Sequence, residues 1–198
     1  MLIYRFASNS RITMKKKKVI GLIGEQAGGK GTASNIIIKK YGGTRLTTSN
    51  ILRRTLDSVH VEVSRENLIN LALLIKKGFG KDVLMKAMLK EVEKEDSDFV
   101  IVDGIRMPGD TTPFKKEYGE DFKLIYVTAD KKIRYQRSLM RGEKAGESEA
   151  TFKEFSEKEK SETEKYIKKV GKTADYIIVN NNGPEELERE IIKIMEKI

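Results

Sequence analysis

The sequence predicts an α/β fold in which a parallel sheet is flanked by helices on both faces, making three layers. Three observations lead there. Short apolar runs without polar alternation, Val19-Ile20-Gly21-Leu22-Ile23, Phe99-Val100-Ile101-Val102, Leu124-Ile125-Tyr126-Val127 and Tyr176-Ile177-Ile178-Val179, read as strands buried on both sides. Stretches with helical spacing of apolar residues separate them, and parallel strands need such crossovers. The 198 residues contain no repeat, low-complexity segment or flexible linker, so they form one domain with a sizeable core.

The elements follow in order. After the first run comes a Gly-rich stretch, residues 24–31, and then a helix over 32–40 that ends at Tyr41-Gly42-Gly43. Residues 44–47 form a short strand, and Ser49 or Asn50 N-caps the next helix. Ser64, with Asn67 three residues on, opens a helix whose Leu68, Leu71, Ala72 and Ile75 share one face; Gly78 and Gly80 stop it. A second amphipathic helix spans about 82–95. A helix over about 130–140 follows the third run, and residues 151–170 read as one long polar helix. Asn180-Asn181-Asn182-Gly183 ends the last strand, and Pro184 starts an amphipathic helix reaching towards Ile198. Residues 49–95 and 142–170 are thus helical insertions around the sheet. Met85, Met88, Met107 and Met140 are expected to fill core gaps.

Composition narrows the function. With no cysteine, disulfides, thiolate metal sites and cysteine nucleophiles are excluded. A single histidine, His60, leaves no triad or His-based metal site, and a surface or helix-end role is expected for it. No apolar run approaches the roughly 20 residues of a membrane span, and the N-terminus lacks a secretory h-region, so a cytoplasmic protein without membrane contact is expected. The formal charge of +9 is unevenly distributed: residues 1–18 hold six cations and no acid, leaving 33 Lys+Arg against 30 Asp+Glu elsewhere. Residues 1–16 read as a basic, solvated extension, with Met14 before four lysines as a candidate start. Nucleic acid is not expected as a partner, since no aromatic and basic residues interleave. The acid-rich run 154–164, interleaved with Lys, reads as a solvated face or a lid helix.

The strongest motif is Gly24-Glu25-Gln26-Ala27-Gly28-Gly29-Lys30-Gly31-Thr32, between a predicted strand and a predicted helix. Gly-x4-Gly-Lys is the phosphate-binding loop pattern. Gly24, Gly28, Gly29 and Gly31 let successive backbone N–H groups curl inward, the helix presents its positive end, and Lys30 adds a cation. Thr32 stands one position later than the usual Mg²⁺-binding hydroxyl. Val100-Ile101-Val102-Asp103-Gly104-Ile105-Arg106 is a strand ending in an acid, suited to holding Mg²⁺ directly or through water. Arg134, Arg137 and Arg141 share one helix face.

These motifs resemble those of P-loop nucleoside monophosphate kinases. Gly29-Lys30-Gly31-Thr32 matches the GKGT of adenylate kinases, and Leu46-Thr47-Thr48-Ser49-Asn50-Ile51-Leu52-Arg53 is similar to their acceptor segment at Thr48, Leu52 and Arg53. Asp103-Gly104-Ile105-Arg106 resembles their D-G-F-P-R segment. The arginines before Gly142 resemble the helix entering a nucleotide-kinase lid, and Ala174-Asp175-Tyr176-Ile177-Ile178-Val179-Asn180-Asn181 looks like the last strand and loop of dephospho-CoA kinases. The combination is most similar to the adenylate-kinase-related, dephospho-CoA-kinase-like P-loop proteins and covers roughly residues 17–190. It implies a three-layer P-loop NTPase fold, with an acceptor-binding insertion at about 49–95 and a lid at about 142–170 that lacks the cysteines for zinc.

The resemblance further implies ATP and Mg²⁺ as cofactors and a small-molecule phosphate acceptor as partner, most of all a nucleoside or deoxynucleoside monophosphate. Dephospho-CoA, or no small acceptor at all, are the alternatives. Thr48, Arg53 and Arg106 would bind the acceptor. Lys30, Asp103, Arg137 and Arg141 would serve transfer, Thr32 and Asp103 would take the metal, and the loop at Asn181 would lie near the adenine.

Overall fold

The computed structural model describes residues 17–141, 150–161 and 164–198. The basic extension, Met14 and residues 142–149 of the expected lid lie outside the described residues. Strands β1 (Lys18–Ile23), β2 (Thr44–Thr47), β3 (Phe99–Asp103), β4 (Phe122–Thr128) and β5 (Tyr176–Val179) form one parallel sheet in the order β2-β3-β1-β4-β5. Helices α1 (Lys30–Tyr41), α2 (Thr48–Ser58), α3 (Arg65–Phe79), α4 (Val83–Lys94), α5 (Thr112–Tyr118), α6 (Lys131–Arg141), α7 (Phe152–Lys158), α8 (Ile167–Gly171) and α9 (Pro184–Met195) complete it. The three-layer α/β expectation holds.

Because side chains alternate across a strand, each apolar run feeds two cores. Ile20, Leu22, Ile101, Ile125 and Val127 pack on one face against Ala33 and Ile37 of α1 and Leu187 and Ile191 of α9. Val19, Ile23, Val100, Val102 and Leu124 pack on the other against Leu52 of α2, Met88 and Val92 of α4, Phe114 of α5 and Ile167 and Val170 of α8. Each such buried aliphatic side chain contributes about 1.5–3 kcal/mol. Gly21 has a packing reason: a Cβ there would meet the Ile105, Phe122 and Leu124 side chains at 2.6–3.0 Å.

The departures are local. At the sheet edge β5 is covered on one face only, so Ile178 is buried while Ile177 and Val179 are 53% and 56% exposed. The expected helix over 151–170 is instead the short α7 and α8, with turns between them in the described residues. Thr151 and Glu154 close a reciprocal capping box at the start of α7. Thr47, not Ser49 or Asn50, caps α2, its Oγ1 accepting from the Asn50 N–H at 3.1 Å. Ser64 caps α3 through the Asn67 N–H as its spacing predicts, and the helix passes through Gly78 to end at Gly80. Helix α5, with Pro113 in its first turn, is an element the periodicity did not indicate. Met85 and Met88 are core residues, whereas Met140 is exposed and Met107 half-buried. His60 is exposed just past α2, as expected.

Candidate nucleotide site

The central strand β1 delivers the Gly-rich loop to the carboxyl edge of the sheet, where α/β folds bind ligands. Gly24 passes so close to the Val127 carbonyl of β4 that any Cβ would overlap it. Gly29, at φ 109°, takes the left-handed conformation that side chains avoid. It also forms the N-cap of α1, so no side chain caps that helix and its first turn carries no acid. The orphan N–H groups there are available to an anion. Lys30, Gly31 and Thr32 of that turn line a cavity of about 670 Å³ together with Arg45, Asp103, Arg137, Arg141 and Asn180. Lys30 Nζ donates to the Gly24 carbonyl and, at 3.4 Å, to that of Glu25.

Strand register places Asp103 beside the loop, since it pairs with Leu22 of β1 on one side and Thr47 of β2 on the other. Arg45 of β2 forms an ion pair with the Asp103 carboxylate, and its Nε is buried without a partner. Sequence reasoning missed Arg45; its only signal was a cation inside a strand adjacent to the motif strand. Thr48 packs directly on Gly104, where a side chain would collide with its hydroxyl.

The remaining candidate arginines separate into four places. Arg137 and Arg141 line the cavity, Arg137 Nη1 donating to the Asn180 carbonyl at 2.8 Å, and burial lowers the Arg137 pKa. Arg134, on the same helix face, turns under the loop instead. It is 5% exposed, donates to the carbonyls of Ala129 (2.9 Å) and Gln26 (3.3 Å), and pairs with Glu159. Arg106 pairs with Glu164, while its backbone N–H and that of Met107 donate to the buried Asp110 carboxylate at 2.9 Å. Glu159 and Glu164 are therefore counterions of arginines rather than members of a solvated face. Arg53 is exposed and lies away from the cavity.

Asn181 accepts from the Asp130 N–H at 2.9 Å, and it is Asn180 that reaches the cavity. Asn180 Nδ2 donates to the Gly28 carbonyl at 3.1 Å, tying β5 to the loop, while its Oδ1 is buried without a partner. Nothing in a run of three asparagines distinguishes the one that turns inward. A second cavity, of about 630 Å³, abuts the other side of the loop and includes Glu25, Tyr126, Arg134, Glu159, Glu164 and Lys168.

A protein-family model described as AAA domain matches residues 24–156, two-thirds of the chain, including the loop, β3 and α6. The chain belongs to this AAA domain family, AAA_17. Relatives of this AAA domain chain include a UPF0200/UPF0201 protein of Archaeoglobus fulgidus, 26% identical over 183 residues; the match covers 91% of this chain but 56% of that protein. A UPF0200 protein of Pyrococcus furiosus is 27% identical, with 91% and 97% of the two chains covered.

Among solved structures, shikimate kinase from Bacteroides thetaiotaomicron superposes with a TM-score of 0.62 at 16% identity, covering 91% of this chain and 97% of the other. TT1252 from Thermus thermophilus gives 0.60 at 17%, covering 92% and 98%. These likenesses are of fold: the parallel sheet and flanking helices of P-loop kinases. Among the described residues, no helix is long and apolar enough to cross a membrane.

Proposed function

We propose that the protein transfers the γ-phosphoryl group of ATP to a small acceptor. The observation that carries this reading is the uncapped first turn of α1, opening with Lys30 into a cavity lined further by Arg137 and Arg141. Gly31 supports it: a Cβ there would meet no protein atom within 4 Å, so its absence answers to no packing demand and leaves the loop open to phosphate oxygens.

In this reading the loop N–H groups and Lys30 hold the β- and γ-phosphates, and Arg137 and Arg141 neutralise charge that spreads over the transferring group. Thr32 and Asp103 would hold Mg²⁺, which when bound screens the phosphate charge; the ion pair with Arg45 orients the Asp103 carboxylate. Catalysis of this kind is chiefly positioning and electrostatics. The acceptor is either a nucleoside monophosphate, as the Thr48 and Arg106 matches imply, or a hydroxyl-bearing molecule such as dephospho-CoA. A small-molecule kinase is favoured over a regulatory NTPase because a second cavity, beyond the one that would hold ATP, adjoins the loop through Glu25 and leaves room for an acceptor.

The test is ADP formation from ATP–Mg²⁺ with a panel of monophosphates and dephospho-CoA. Acceptor-dependent turnover is expected; slow hydrolysis indifferent to every acceptor overturns the kinase reading. Lys30→Ala is expected to weaken ATP binding at least about 100-fold, near 2.7 kcal/mol, measured with a fluorescent ATP analogue. Unchanged binding overturns the loop assignment.

A further inference from the structure

Glu25 belongs to the phosphate loop, yet it lines both the nucleotide cavity and the second cavity. Its Oε1 accepts from the Tyr126 hydroxyl at 2.6 Å, and its Oε2 is buried without a partner. Burial, then the bond to Glu25, pushes the Tyr126 pKa up to about 12, so Tyr126 stays a donor. The Tyr126 ring is itself fixed from behind: a Cβ at Gly171 of α8 would stand 2.7 Å from it. Leaving one carboxyl oxygen buried and unsatisfied costs about 1–3 kcal/mol or more. Such a group awaits a proton donor.

Resting on the phosphoryl-transfer reading, we infer that the second cavity receives the acceptor and that the acceptor presents a hydroxyl group to Glu25. A phosphate acceptor would bring like charge to this carboxylate, whereas a hydroxyl satisfies Oε2 and supplies the attacking oxygen. Among the lysines lining the same cavity, Lys131 is paired with Glu159 and Lys160 with Glu157, whereas Lys168 and Lys172 form no ion pair among the described residues, so the acceptor carries an anionic group away from its hydroxyl, as a hydroxy acid or a sugar phosphate does. In the reaction the hydroxyl oxygen forms a bond to the γ-phosphorus. The bond from that phosphorus to the β,γ-bridging oxygen breaks, its electron pair leaves with ADP, and the hydroxyl proton passes to Glu25 Oε2 and on to solvent. Tyr126 is a positioning residue that aims the carboxylate.

Water is the smallest hydroxyl acceptor, so slow ATP hydrolysis probes Glu25 before the natural acceptor is known. The full chain, Glu25→Gln and Tyr126→Phe are compared for ATP-analogue binding and for ADP release with ATP–Mg²⁺ alone. ADP release is also followed with nucleoside monophosphates and with glycerate and glycerol 3-phosphate, the products being read by phosphorus NMR. Glu25→Gln is expected to bind ATP within twofold of wild type but to lose about 100-fold in turnover, and Tyr126→Phe to lose less.

Any product is expected to be a phosphate ester rather than a diphosphate. Glu25→Gln turning over ATP like wild type, or diphosphate formation that survives Glu25→Gln, would each overturn the inference while leaving the phosphoryl-transfer reading intact; ATP bound but never turned over by wild type would overturn both. Failure of wild type to bind ATP would instead overturn the phosphoryl-transfer reading beneath it.

Discussion

Arg134 and Glu159 illustrate how single residues set the stage for this site. Burial pushes the Glu159 carboxyl up, but hydrogen bonds from Arg134 and Lys131, with their charges, outweigh it and hold the pKa below the ordinary value. A carboxyl depressed in the folded state adds stability above its unfolded pKa and loses it as pH falls through the lowered value. Glu159→Gln is therefore expected to cost about 1–2 kcal/mol at neutral pH, a figure moderated by partial exposure. The gap between the variant and wild type should close in acid, and urea titrations at neutral and low pH check both points. A constant difference across that range would show that the ion pair is not its source. Arg134 keeps its bonds to Ala129 and Gln26 in the variant, so the loss should stay well short of that for a stranded buried charge.

At the scale of elements, local chemistry explains the helix starts while neighbours explain what each helix buries. Helix α3 has a side-chain cap at Ser64 and half-buries Leu68, Leu71, Ala72 and Ile75, but none of its residues is fully buried. Leu73, Leu74 and Phe79 are exposed. Its stability rests more on its cap than that of α4, which buries Leu84, Met85, Met88 and Val92. Ser64→Ala is expected to cost about 1 kcal/mol and to speed amide hydrogen exchange across α3 before α4. Equal acceleration in both helices would show that they open as one unit. In place of one long helix at 151–170, the short helices α7 and α8 bury Phe155 on one and Ile167 and Val170 on the other.

For the whole molecule, the sheet order brings four separated segments to one edge. The loop after β1, Asp103 at the end of β3, Arg137 and Arg141 after β4 and Asn180 after β5 line one cavity. A ligand there bridges these segments and binds only the folded chain. At 100 times its dissociation constant, ATP with Mg²⁺ is expected to stabilise the protein by about 2.7 kcal/mol, raising Tm by a few degrees in a thermal melt. Arg45→Ala, which releases Asp103, is expected to diminish the Mg²⁺-dependent part of that shift. An ATP shift indifferent to Mg²⁺ in wild type would remove Asp103 and Thr32 from the metal role.

Much of this was legible in the residues. Apolar runs identified β1, β3, β4 and β5, because a strand buried on both faces is apolar at every position, and the glycine spacing identified the loop because few other residues fit so close to Val127. The exposed outer face of β5 was not legible, since an edge position depends on what else the sheet leaves uncovered. Arg45, Asn180, Glu25 and Asp110 were missed for the same reason: each acts through a partner distant in sequence, Asp103, Gly28 and Tyr126 for the first three. Asp110 differs in reach, holding a nearby turn through two backbone N–H groups.

Hydrophobic period and backbone sterics are local, so the residues alone carry the layers, the strands and the glycine-rich loop. Which arginines face the cavity, which are held by Glu159 and Glu164, and that one Glu25 carboxyl oxygen is buried without a partner emerge with the assembled fold. Those outcomes depend on register and on charges brought together across the sheet.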